Sequence, residues 1–187
     1  MAKKLSEMTL NELWELFPIV LSEHKDYWSE QYREEVSKLK SILPEDTEYH
    51  HVGSTAVFGI MAKPIVDILI VVGSVEKMAN AATAMKSHGY IIMSESHTRV
   101  SLNYGYTESG FAEKVFHYHI RLKGDTDEIY FRDYLIAHPD IAHEYEKLKL
   151  KLWKEYEHNR DAYTNAKSDF VKKYTDIAKN KQSQSPT

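Results

Sequence analysis

The segment Pro64–Val72, PIVDILIVV, constrains this chain more than any other stretch, because it is rich in β-branched residues and apolar throughout except for one carboxylate, Asp67. A run this short and this apolar predicts a central strand covered on both faces, since a strand with one face in water alternates in polarity. An ionised carboxylate is costly to leave unpaired inside such a strand. Asp67 is therefore expected near the strand's accessible end, against a cation or a metal. A turn-capping role or a pair with Lys63 is the plainer alternative.

The flanking sequence reads as helix on both sides. Thr9 and Glu12 form a capping box, and Leu10, Leu13, Trp14 and Phe17 recur at helical spacing up to Pro18. A second helix from about Asp26 to Leu43 lines up Trp28, Tyr32, Val36, Leu39 and Leu43 as a core stripe. Glu48–Val52 is a short strand ending in the turn Gly53-Ser54-Thr55, and Ser74 caps a helix that Gly89 ends. Tyr90–Met93, Thr98–Leu102 and Val115–Leu122 read as strands, and Asn103–Glu113, polar with glycines, as a loop bordering a site. The last third reads as helices over Asp127–His138, from Pro139 onward with Ala142, Tyr145, Leu148, Leu152 and Tyr156 inward, and over Asp161–Ala178. The expectation is an α+β fold: one domain over residues 1–180 with a mixed β-sheet flanked by N- and C-terminal helices, and a polar tail at 181–187.

A chain of 187 residues, 42% hydrophobic and 28% charged, suits one soluble globular domain. No stretch approaches the roughly 20 apolar residues that span a bilayer, and Met1–Ser6 leads into an amphipathic segment, unlike a secretory leader. The absence of cysteine excludes disulfides, thiolate metal sites and cysteine nucleophiles, and a cytoplasmic location is expected. With a net charge of -4 and no basic run, duplex nucleic acid is not an expected partner, whereas one phosphorylated small molecule needs only a few donors.

His117 and His119, two apart on a strand, face the same way. Converging imidazoles can bind a divalent metal, hold phosphate when charged, or divide acid and base work. The plainer alternative is one structural and one partly exposed histidine. Gly53, Ser54 and Thr55 supply N–H groups and hydroxyls that can cradle phosphate, although the segment matches no phosphate-loop motif. Arg99, Arg121 and Lys63 are candidate phosphate partners, with surface pairing the commoner fate of such residues. His50 and His51 point oppositely, so only one can join Asp67. Ser54 or Thr55 as a hydrolytic nucleophile is disfavoured because no nucleophile elbow surrounds them.

The run HHVGSTAVFGIMAKPIVDILIVV (50–72), with Arg99-Val100, FAEKVFHYHIRL (111–122), YFRDYLIAHPDIAHEYEKLK (130–149) and RDAYTNAKSDFVKKY (160–174), closely resembles the GrpB family. The resemblance implies a nucleotidyltransferase-like fold. In that wider group a Gly-Ser turn follows one strand, and the next strand carries two metal-binding acids separated by one residue. Gly53-Ser54 and Asp67 match, but Leu69 stands where the second acid would be, and His117 or His119 where a further acid might be expected. Phe58 replaces the usual proline of a Val-Pro-Gly segment, removing a backbone restraint but no chemical group. The implied function is nucleotidyl or phosphoryl transfer involving a nucleotide or phosphorylated small molecule. Asp67, His117 and His119 would form a metal (Mg²⁺, Mn²⁺ or Zn²⁺) or acid–base centre, and Gly53, Ser54, Thr55, Lys63 and Arg99 would position phosphate. The missing acid motivates the alternatives: a non-catalytic nucleotide-binding module, a protein-interaction module, or a metal-dependent phosphohydrolase.

Overall fold

The structure is a computed structural model and describes residues 3–183. Met1, Ala2 and residues 184–187 of the expected polar tail lie outside the described residues. Helix α1 (Leu10–Leu16) starts at the Thr9/Glu12 capping box, with both reciprocal bonds present. Its apolar stripe is less buried than its spacing suggests: Phe17 is covered, but Leu10 stays exposed. Helix α2 (Tyr27–Ile42) leads into β1 (Glu48–Val52), the Gly53 turn and β2 (Val66–Val72), which follows Pro64. Helix α3 (Val75–Ser87) is capped by Ser74, whose side chain accepts from the Lys77 N–H. Then come β3 (Ile91–Glu95), β4 (Arg99–Thr107), β5 (Gly110–Leu122), α4 (Asp127–Ala137), α5 (Pro139–Tyr156), α6 (Arg160–Asn165) and α7 (Ser168–Ser183).

The strands form one mixed sheet in the order β1-β2-β5-β4-β3. Strand β2 pairs antiparallel with β1 and parallel with β5. It is an interior strand beside the edge strand β1, the middle place going to β5, and its two faces enter different cores. Val66, Ile68, Ile70 and Val72 join Trp28, Leu39, Met78 and Tyr118 beneath α2 and α3. Leu69 and Val71 face the other way, with Val52 and Ile129. Each such side chain contributes about 1.5–3 kcal/mol by leaving water, which is why an apolar run this short becomes an interior strand covered on both faces.

Three expectations are corrected. Asn103–Glu113 is not a loop: β4 and β5 extend through it and meet at Thr107 and Gly110 as a hairpin. The register shifts between Tyr104 and Tyr106, where Gly105 has φ 87 and a side chain would meet the Lys114 carbonyl. Glycines that suggest a loop here serve a bulge and a tight turn. The helix expected over Asp161–Ala178 is two helices that break near Lys167, and α7 runs on through 181–183 of the expected tail. In α2 the buried face includes an acid, Glu35, whose Oε1 accepts from the Tyr90 and Tyr118 hydroxyls at 2.8 Å each. Those bonds satisfy a carboxylate that burial would otherwise penalise.

Candidate functional site

Strand pairing assembles the centre. Antiparallel pairing sets Val52, the last residue of β1, opposite Asp67, so the turn at Gly53 lands beside that carboxylate. Parallel pairing sets His117 opposite Asp67 and His119 opposite Leu69. Paired residues share a face, so Asp67, His117 and His119 project together, away from α2 and α3. His119 Nε2 lies 3.1 Å from Asp67 Oδ1 and His117 Nδ1 3.5 Å from the same atom. Gly53 has φ 72, and a Cβ there would lie 3.0 Å from Asp67 Cγ and nearer still to Oδ2.

Tyr106, displaced by the bulge onto this face, stacks on His117 with its oxygen 2.7 Å from Nε2. Arg160 donates to the Tyr106 oxygen at 2.9 Å. The tyrosine can therefore direct its proton to His117 Nε2, leaving Nδ1–H to face Asp67, a tautomer assigned from the network. Burial is the strongest influence on Asp67 and would raise its carboxyl, but His117 and His119 together hold it far below the usual carboxylate range. Burial likewise drives His117 below its ordinary value, against the pull of Asp67.

Not every expected residue joins. His51 projects to the opposite face, stacked on Tyr32 with Nε2 3.0 Å from Thr55 Oγ1. The Thr55 hydroxyl is thereby engaged by His51, although Thr55 also lines the cavity that holds Asp67. Arg99 is not brought to Asp67: its guanidinium makes two bonds to Asp125, at 2.7 and 2.6 Å. Arg121 shares the histidines' face but is committed to Glu128 and to the carbonyls of Val100 and Ile120.

Gly53, Ser54, Thr55, Lys63, Asp67, His117 and His119 line one cavity of about 320 Å³, together with residues that sequence reasoning missed: Lys149, Arg160 and Lys167. Lys149 is 2% exposed and donates to Ser54 Oγ at 3.1 Å and to the Met61 carbonyl. Glu146, one turn earlier, accepts the Met61 N–H at 2.6 Å, so α5 clamps that segment through both of its backbone groups. Lys63 and Lys167 both lie over the buried Tyr163 ring, at 5.6 and 4.2 Å from its centroid. Burial first, then the neighbouring cations, push Lys63 and Lys149 down to about 7. Burial also lowers Lys167, to about 8, with Asp67 opposing and Arg160 adding to the effect. None of Lys63, Lys149, Arg160 and Lys167 is ion-paired with a carboxylate among the described residues.

The donor set does not fit a divalent metal as it stands. Asp67 Oδ1 is shared by two imidazoles and Oδ2 abuts Gly53, while His117 Nε2 is bonded to Tyr106. Leu69, in the position of the second acid, is fully buried among apolar side chains. Among the described residues, no group of three or more His, Asp or Glu side chains is arranged to hold a metal ion.

The family model for GrpB protein matches residues 18–176. The chain belongs to the GrpB family. It is 35% identical to the glutamate-rich protein GrpB of Alkalihalophilus pseudofirmus, covering 82% of this chain and 91% of that one. It is 31% identical to UPF0157 protein YqkA of Bacillus subtilis over 94% of this chain, and spans about half (52%) of that relative's length. The crystal structure of GrpB from Enterococcus faecalis superposes with a TM-score of 0.76 at 31% identity, over 88% of this chain and all (100%) of that one. A structure of the Cid1 poly(U) polymerase superposes with a TM-score of 0.51 at 11% identity, over 84% of this chain and 51% of that one, a likeness of fold alone. The GrpB fold is thus nucleotidyltransferase-like. No helix among the described residues is long and apolar enough to cross a membrane.

The histidine pinned to Tyr32 makes a test of the surrounding packing. Burial, aided by Arg132 and opposed by Asp67, holds His51 down to about 4. Its unfolded counterpart takes up a proton near pH 6.5, so His51 contributes stability that is present above that value and lost as pH falls toward 4. Discounted for partial exposure, the loss is about 2 kcal/mol. Urea melts from pH 7 to 4 should show a shallower decline for His51→Phe than for the native chain; identical slopes would refute the assignment.

Proposed function

We propose that this GrpB-family chain binds a nucleotide or another phosphorylated small molecule, with the phosphates among Lys63, Lys149, Arg160 and Lys167 beside the Gly53-Ser54 turn. One observation carries the reading: four cations without carboxylate partners border a single cavity. Such a cluster is self-repelling, and a polyanion converts the repulsion into charge-assisted hydrogen bonds. Asp67 supports the polarity of the site, because its charge is already shared by two imidazoles.

Binding is better supported than metal-dependent transfer. A carboxylate held so far below the neutral range is a weak general base, since proton transfer works best when the catalytic pKa lies near the working pH. Transfer to an acceptor is the second reading, favoured by His119, whose imidazole lines the same cavity.

Calorimetric titration with inorganic tripolyphosphate and with ATP, each with and without EDTA, tests both readings. Single-site binding is expected, unchanged by EDTA and weakened about tenfold or more in Lys63→Ala/Lys167→Ala, because a hydrogen bond to a charged group is worth about 1.5–3 kcal/mol. Failure of both ligands to bind at millimolar concentration would overturn the proposal. A nucleotidyl or phosphoryl product on incubation with hydroxyl acceptors would promote transfer over simple binding.

A further inference from the structure

A second and larger cavity, about 440 Å³, adjoins the first at the Gly53-Ser54 turn. Gly53, Ser54, Tyr145, Thr164 and Lys167 line both cavities, so the two meet along a common wall. Their chemistry differs. Apart from Lys167, which the two cavities share, the cations around the second cavity are already committed: Arg99 to Asp125, Lys172 to Asp176, and Arg132 to Asp133 and the His51 carbonyl. Apolar wall comes from Phe131, Leu135 and Val171. Phe131 meets Tyr145 edge to face, with ring centroids 5.2 Å apart, and both rings are held in the core that α4 and α5 share with α7. Glu128 also lines this cavity; its Oε1 is bonded to Arg121, while its Oε2 is buried without a hydrogen-bond partner. Buried acceptors are nearly always satisfied, so this oxygen, closed off beside the cavity, is an acceptor that a ligand donor could satisfy once the Glu128 side chain turns toward it.

We propose that the ligand is an organic phosphate whose non-phosphate part is a flat, hydrogen-bond-donating ring seated in this second cavity, against Phe131 and Val171 and beside Glu128. The proposal rests on the phosphate reading above and assigns the division of labour: charge recognition in the first cavity, ring recognition in the second. A cavity of this size with an apolar wall is typical of small-molecule sites, and beyond the shared Lys167 it offers no uncommitted cation for a second phosphate.

The test compares the full chain's affinity for inorganic tripolyphosphate with that for ATP, GTP, CTP and UTP. The expected result is that at least one nucleoside triphosphate binds ten times tighter than tripolyphosphate. Val171→Trp, which fills the second cavity, should abolish that advantage and leave tripolyphosphate affinity within twofold of native. Phe131→Ala, which removes the ring contact instead of filling the space, should reduce the advantage at least threefold and serves if the tryptophan variant does not fold. Tripolyphosphate binding with no tighter nucleoside triphosphate would overturn the second-cavity assignment and leave the phosphate site standing. Binding of neither would overturn both, and an advantage that survives Val171→Trp or Phe131→Ala would place the ring elsewhere.

Discussion

Gly53→Ala is expected to destabilise the fold by about 3–5 kcal/mol and to abolish phosphate binding. Gly53 has φ 72 and ψ -173, a backbone region that only glycine occupies without strain, and forcing a side chain there costs about 1–3 kcal/mol. The added methyl also runs into the Asp67 carboxylate, which cannot retreat without leaving His119 and His117. Loss of those bonds strands a buried charge and accounts for the rest. Chemical denaturation measures the stability, and titration with tripolyphosphate the binding. A loss below about 1 kcal/mol would mean that the turn can swing clear of Asp67, contrary to the packing described.

Lys149→Met should move stability and binding in opposite directions. The Lys149 amine, ordinarily near 10.5, is pushed down to about 7, mainly by burial. Protonation of this group therefore favours the unfolded chain: its cost is complete below about pH 7 and disappears as pH rises toward 10.5. The upper bound on that cost is about 4–5 kcal/mol. Methionine fills similar space without a charge but leaves Ser54 and the Met61 carbonyl without their donor, which returns about 1–2 kcal/mol. The net expectation is a gain of about 2–3 kcal/mol at pH 7 that fades by pH 10, together with at least a tenfold loss of tripolyphosphate affinity. A variant that loses stability at pH 7, or that binds tripolyphosphate as the native chain does, would show that Lys149 is simply a structural clamp.

The centre was legible where chemistry interrupts a strong local pattern. Asp67 breaks an apolar strand, and the two histidines repeat at the strand period, so their shared face follows from residue parity alone. Leu69 marks a missing acid only through the resemblance to the wider nucleotidyltransferase group, since a leucine breaks no pattern in an apolar strand. Lys149 carried a usable signal that was passed over: it falls four residues after Tyr145 and three before Leu152, on the buried stripe of α5, where a lysine demands a reason. Tyr106 carried a misleading one, because the glycines around it imply a loop, and only the bulge at Gly105 turns its ring onto the face of His117. Nothing local distinguished Arg160 or Lys167 from ordinary surface cations at a helix start and a helix break.

Sequence alone determined most of the elements, the apolar strand interrupted by Asp67, the Gly-Ser turn and the shared face of His117 and His119, because strand parity and helix period are properties of neighbouring residues. Tertiary structure decided which cations meet that acid. Ser54 and Lys149 are 95 positions apart, and His119 and Asp67 are 52 apart. Contacts at such separations depend on how β5 docks beside β2 and how α5, α6 and α7 close over the sheet, and that arrangement is set by burial of all the apolar faces at once.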